Sequence, residues 1–340
     1  MVAAHPADDG EALLDWNESP IGPPPLAVKR VLGAVERLHR YPRGLMEEVT
    51  ELAAGHFGVR TDEVLLTAGV DEAVDMTLSL AVRAWGLRPG FDGYPDRAVA
   101  NGKPFHAIPL NANWRPVELF PGQLGATDIV YLAQPGNPTG DLLAGAWIQE
   151  VRQAVSYVFI DETYQEFSSW PGILTSVGGP RPGLLVYRSF SKAAGLAGIR
   201  LGCLIADSGT ISRLEPLRRF MPIDAVSLNA GAGLLEDPMF MVRLVDYVRE
   251  GRSELHEMLR ASGLFAEVRG SETNFLLARP AEETRAEVAA TLSEDHIRVK
   301  DCTAVGLPGW LRVSVGSPAD HLRLRRSLTR ARSRAELAQP

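Results

Sequence analysis

The sequence predicts an α/β protein with a largely parallel sheet covered by helices on both faces, followed by a smaller α+β unit. Three observations carry this. Short apolar runs at 64–66, 129–133, 157–160, 184–187 and 201–206 alternate with stretches of helical periodicity between about 42 and 235. Several of these runs end in Gly, Pro, Asn or Asp clusters, as strands do where an open sheet offers its carboxyl edge to a ligand. A long helical pattern over 241–259, with Leu244, Val245, Val248, Leu255 and Leu259 on one face, then leads out of that alternation.

In chain order, residues 1–14 read as a loosely docked arm. Pro23-Pro24-Pro25-Leu26 opens a helix with Val28, Val31, Leu32, Val35 and Leu38 at helical spacing. Thr67-Ala68-Gly69-Val70-Asp71 follows an apolar run and opens an amphipathic stretch expected to reach about Ala84. Leu322, Leu324 and Leu328, set among arginines, predict a solvated terminal helix. The expected organisation is an N-terminal segment over 1–40 packing on the small domain, a large domain over 41–242, a small domain over 243–332 and a tail over 333–340.

A chain of 340 residues and 36.9 kDa buries a sizeable core, and 45% hydrophobic with 23% charged residues is ordinary for a globular protein. The net charge of −7 argues against a nucleic-acid surface. Cys203 and Cys302 fit no metal or redox pattern, and the seven histidines are scattered, so no metal is expected. No run approaches a membrane span, and Asp8, Asp9 and Glu11 are unlike a signal peptide, so a cytoplasmic protein is expected.

Four segments carry chemistry. In Arg188-Ser189-Phe190-Ser191-Lys192, a lysine stands beside two hydroxyls, with Gly195, Gly198 and Arg200 downstream. Such a lysine suits Schiff-base formation with a phosphate-bearing aldehyde, the serines and the arginine fork taking the phosphate. The run ending at Asp161 delivers a buried carboxylate, able to hold a proton on a pyridine nitrogen, and Tyr164 lies three residues on. Gln134-Pro135-Gly136-Asn137-Pro138-Thr139-Gly140 is a rigid turn offering an amide donor. Gly69, Val70 and Asp71 form a turn whose free amides suit a phosphate. Taken singly, each admits a plainer reading: a surface lysine, a helix cap, a strand-to-helix loop, a glycine turn. Together, in this order, they describe one cofactor site.

The chain resembles the fold-type I pyridoxal-phosphate aminotransferases of class I/II, in the histidinol-phosphate aminotransferase-like branch. The likeness extends over nearly its whole length. It includes Asp15-Trp16-Asn17-Glu18-Ser19-Pro20, Arg40-Tyr41-Pro42, Thr273-Asn274-Phe275 and Trp310-Leu311-Arg312. It implies pyridoxal 5'-phosphate as cofactor on Lys192, with Asp161 and Tyr164 as further catalytic residues. Gly69, Val70, Asp71, Asn137, Ser189, Ser191 and Arg200 are implied cofactor ligands, Phe91 is placed on the ring with Tyr94 second, and Tyr41 reaches the neighbouring subunit's phosphate. A homodimer with shared sites, an amino donor and a keto-acid acceptor follow. Lys192 then removes the α-proton and returns it at the cofactor carbon.

Arg312, Asn274, Lys300, Ile21 and Asp224 are the implied substrate-binding positions. Three depart from the branch: Ile21 replaces a tyrosine, Lys300-Asp301 replaces Arg-Pro, and Asp224 replaces an asparagine. Lysine keeps the charge for a phosphate but loses the bidentate fork; Asp224 and Asp301 would oppose an anionic side chain if they face the pocket, and are neutral changes if they point to solvent. The segment between Ala84 and Phe91 is also shorter than the branch pattern. Decarboxylation, or oxidation, elimination or cyclisation of an arginine-like amino acid, is the alternative on the same scaffold.

Overall fold

The structure, a computed structural model, describes residues 10–117 and 123–338. The chain forms β1 (Ala12–Leu14), then α1 (Pro25–Ala34) and α2 (Leu45–Phe57). A seven-stranded sheet follows: β2 (Val64–Thr67), β3 (Arg83–Arg88), β4 (Phe105–Pro109), β5 (Asp128–Ala133), β6 (Tyr157–Asp161), β7 (Leu184–Ser189) and β8 (Gly202–Ile205). Its order is β2-β8-β7-β6-β5-β3-β4, with β8 antiparallel to both neighbours and the remaining pairs parallel. β5, β6 and β7 are almost continuously apolar because helices cover both faces. Those helices are α3 (Gly69–Leu78), α4 (Gly93–Ala100), α5 (Gly145–Ala154), α6 (Ile173–Val177), α7 (Ser208–Leu214) and α8 (Ala225–Leu235).

The long α9 (Met239–Ala261) buries Leu244, Val245, Val248, Leu255 and Leu259 and leads to a second sheet. That sheet comprises β9 (Phe265–Val268), β10 (Phe275–Pro280), β11 (Ile297–Asp301) and β12 (Leu311–Ser314), with α10 (Arg285–Glu294) and α11 (Pro318–Ala338). Its order is β1-β11-β12-β10-β9, and only the β1–β11 pair is parallel.

Four expectations are corrected. The arm over 1–14 is not loose at its inner end: Ala12 and Leu14 are buried in β1, while residues 1–9 lie outside the described residues. α1 does not follow β1 onto the second sheet. It packs its small residues Ala27 and Ala34 inward, so closely on α8 that a Cβ at Gly233 would stand 2.6 Å from the Ala27 Cα. Val28, Leu32, Val35 and Leu38 are therefore left exposed. The helix expected to reach Ala84 stops at Leu78, and a complete strand β3 follows. β3 lacks a clean apolar run because Arg83 and Arg88 bracket it and Gly86 interrupts it; that glycine makes room for the Phe105 ring, which a Cβ would meet at 2.8 Å. Finally, the expected tail is helical through Ala338 in α11, residues 339–340 lying outside the described residues.

Candidate active site

A cavity of about 610 Å³ opens between the carboxyl edge of the large sheet, the second sheet and the stretch after β1. Lys192, three residues beyond β7, projects into it, and its Nζ donates to the Trp16 carbonyl at 2.6 Å. Burial, and next the Arg312 guanidinium, pull this amine down to about 7. Near neutrality it is thus both donor and acceptor of protons.

Asp161 ends β6 and also lines the cavity. Its Oδ1 accepts from the Thr163 amide at 3.0 Å and the Thr163 hydroxyl at 2.5 Å, and its Oδ2 accepts from the Tyr94 hydroxyl at 2.8 Å. Burial pushes its pKa up, and the bonds from Thr163 and Tyr94 oppose that. Tyr94 is therefore not an alternative to Phe91. It lies beneath, edge-on to Phe91 at 5.1 Å and stacked on Tyr131 at 5.3 Å, while Phe91 lines the cavity.

At one end of the cavity Val70, Ser189, Ser191 and Arg200 converge. Arg200 donates to the Ser191 hydroxyl at 3.3 Å and pairs with Asp71 at 3.6 Å. It crosses Gly69, where φ is +80° and a Cβ would stand 2.6 Å from its Nη2. Only glycine fits this turn, and it places the first free amides of α3 beside a guanidinium and two hydroxyls. At the other end Lys300 and Arg312, partners across β11–β12, face the cavity. Arg312 donates to Asn137 Oδ1 and to the Asp15 carbonyl, both at 2.6 Å. Tyr164 completes this side.

The remaining predicted positions lie off the cavity. Asn274 is one step behind, its Nδ2 donating to the Asn17 carbonyl at 2.9 Å. Ile21 packs on the core, and Tyr41 is exposed beside the Phe220 ring at 6.1 Å. Of the two readings of Asp224 and Asp301, the structure favours the one that keeps them off the cavity, and the substrate-binding position expected for Asp224 is corrected. Asp224 caps α8, accepting from the Val226 and Ser227 amides at 2.8 and 2.9 Å. Asp301 neighbours Lys300 along a strand and so points to the opposite face, where it accepts from the Thr303 amide at 2.7 Å. The carboxylates that do line the cavity are Glu18 and Asp92, beside Asp161. Glu18 lies in the Asp15–Pro20 segment and Asp92 follows Phe91, but nothing in the local sequence marks either as facing inward.

The cofactor suggested by the sequence fits this donor set. The glycine turn with Arg200, Ser189 and Ser191 suits a phosphate, the buried Asp161 a ring nitrogen, Tyr164 a ring oxygen and the half-buried Lys192 an aldehyde.

Residues 10–328 match the family of class I and II aminotransferases. The histidinol-phosphate aminotransferase of Symbiobacterium thermophilum is 31% identical over 331 residues, spanning 94% of this chain and 90% of that protein. A solved Burkholderia pseudomallei chain assigned as an aminotransferase superposes with a TM-score of 0.87 at 31% identity, covering 95% of this chain and 98% of that one. Histidinol-phosphate aminotransferase from Sinorhizobium meliloti, solved with pyridoxal-5'-phosphate, shares the fold at a TM-score of 0.83 and 21% identity, covering 96% and 92%.

Proposed function

The chain belongs to the class I and II aminotransferase family, and on that premise we propose which of its residues perform the transfer. It is a pyridoxal-phosphate-dependent transaminase of fold type I. The observation that carries the assignment of roles is the convergence of Lys192, Asp161, Tyr164 and Arg312 on one cavity.

Pyridoxal phosphate, when bound there, supplies an aldehyde for the amine and a ring that accepts the electron pair left at the substrate α-carbon. Lys192 would hold its aldehyde. As an amine near 7 beside the substrate end, Lys192 would take up and give back the α-proton at neutral pH. Asp161 would hold a proton on the ring nitrogen, its orientation being set by Tyr94 and Thr163. Tyr164 and Asn137 would serve the ring oxygen. Arg200, Ser189, Ser191 and the Gly69 turn with Val70 and Asp71 would hold the phosphate, and Phe91 would meet the ring.

Arg312 and Lys300 give the substrate end two adjacent cations, suited to a carboxylate or phosphate. With the relatives' names this points to an amino acid or amino-alcohol phosphate as donor, a keto acid as acceptor, and histidinol phosphate as the first compound to try. The exposed row Val28, Leu32, Val35 and Leu38 leads along the chain to Tyr41, itself exposed beside the exposed Phe220 ring, and supports a homodimer in which Tyr41 reaches the neighbouring site.

The test is borohydride reduction of the purified protein followed by peptide mapping. A pyridoxyl group on Lys192 is expected, and an unmodified Lys192 overturns the reading. A screen of amino donors and keto acceptors by mass spectrometry then identifies the substrate pair.

A further inference from the structure

Asn17 is a buried polar residue that sequence reasoning gave no role, and it stands at the centre of the contacts between the N-terminal stretch and both sheets. Its backbone has φ +55°, a left-handed conformation that asparagine tolerates better than most residues. Its N–H donates to the Ser314 hydroxyl at 3.0 Å, and that hydroxyl donates back to Asn17 Oδ1 at 2.9 Å. The exchange fixes which way the amide faces: the oxygen is committed to Ser314, so Nδ2 must point the other way. There it donates to the Tyr164 hydroxyl at 2.9 Å. A phenol has a single hydrogen. With its oxygen accepting from Asn17, that hydrogen is left to point away from Asn17, and the Tyr164 side chain borders the cavity.

We propose that Asn17 is a positioning residue that aims the Tyr164 proton at the cofactor's ring oxygen. The inference rests on the cofactor reading above and deepens it. Ser314 ends β12, two residues from Arg312, whereas Tyr164 follows β6. The chain from Ser314 through Asn17 to Tyr164 therefore ties the strand bearing Arg312 to the proton that stabilises negative charge on the ring oxygen. Asp15 and Trp16, just before Asn17, are held through their carbonyls by Arg312 and Lys192, so the stretch is fastened to the same groups on either side.

The readout is the pH midpoint of the holoenzyme's near-visible absorption band. A hydrogen bond to the ring oxygen favours its deprotonated form and lowers that midpoint. Asn17→Asp keeps the shape and the tolerance for positive φ but offers only acceptors, drawing the Tyr164 hydrogen toward itself. The midpoint is expected to rise by about one pH unit, the size of one lost bond to a charged group. Asn17→Gly, which removes the side chain without adding charge, is expected to raise it less, and Ser314→Ala, which frees the amide to turn, less again. Asp161 and Arg312 are the charged groups acting most directly on Tyr164, with Lys192, Glu18 and Arg200 around them; none of the variants alters these.

The deciding measurement is a cycle with Tyr164→Phe. Asn17→Gly should shift the midpoint in the native background and add nothing once Tyr164 is phenylalanine. An unmoved midpoint in Asn17→Asp, or an Asn17→Gly shift that persists in Tyr164→Phe, overturns the inference while leaving the cofactor on Lys192. Absence of the band from the native protein, with Lys192 unlabelled by borohydride, removes the underlying reading instead.

Discussion

Asp161 and Glu162 are consecutive buried carboxylates, yet they belong to two regions that treat charge in opposite ways. Asp161 lines the cavity with Lys192, Arg200 and Arg312, and among the described residues no cation pairs with its carboxylate there. Glu162 faces away, into a closed cluster: Arg188 bonds Glu162, Gln165 and Glu166, each at 2.8 Å, and sits 4.9 Å from the Phe57 ring centroid. Glu162 also accepts from the Ile173 amide at 2.6 Å. Burial raises the pKa of both carboxyls, but the guanidinium beside Glu162 opposes it there, whereas around Asp161 only neutral donors do. Buried charge neutralised within the protein holds the fold together; buried charge left facing a cavity is available for a ligand.

The contrast is sharpest at its two lysine and arginine members. Lys192→Ala should lower kcat on the order of 10²- to 10⁴-fold, the range of a lost acid–base group, with folding intact; steady-state kinetics and a thermal melt check both halves. Arg188→Met should do the reverse, losing about 3–5 kcal/mol of stability because it strands Glu162, with kcat little changed well below the melting temperature. Denaturant unfolding measures the first, and a large kcat loss in folded Arg188→Met protein breaks the comparison.

A pH experiment separates the regions further. The folded Lys192 amine at about 7 lies below its ordinary 10.5. Between those values the unfolded chain holds a proton that the folded chain has released. The stability of the cofactor-free protein therefore gains a rising contribution from pH 7 toward 10.5, and below 7 it carries the full cost of the buried cation. Lys192→Met should raise the melting temperature of the cofactor-free protein more at pH 6 than at pH 9; an equal gain at both removes the depressed amine. The smallest effect belongs to a carboxylate outside both regions. Asp224→Ala should cost about 1 kcal/mol as a lost helix cap and leave KM unchanged. A tenfold change in KM would return Asp224 to the substrate.

The sequence expectations divide along the same physical line. The apolar runs behind β5, β6 and β7 were legible because strands covered on both faces must be nearly all apolar. β3 was not, since its arginines serve partners distant in sequence: Arg83 pairs with Asp128, and Arg88 reaches the Ala304 carbonyl. The cap at Asp224 did carry a local signal, an acidic residue ahead of a long small-and-apolar run, but it was assigned to the substrate instead.

By itself, the sequence determined the chemistry on offer: a lysine among hydroxyls, an aspartate closing a buried strand, a glycine turn, an arginine near the C-terminus. These depend on residue type and short spacing, which a linear reading preserves. The tertiary structure decided which way each group points, separating Asp161 from Glu162 and Lys300 from Asp301 by strand alternation alone. It also brought Asn17 to Tyr164 and Ser314 across 147 and 297 residues. Direction and long-range meeting are set by packing, and packing has no local signature.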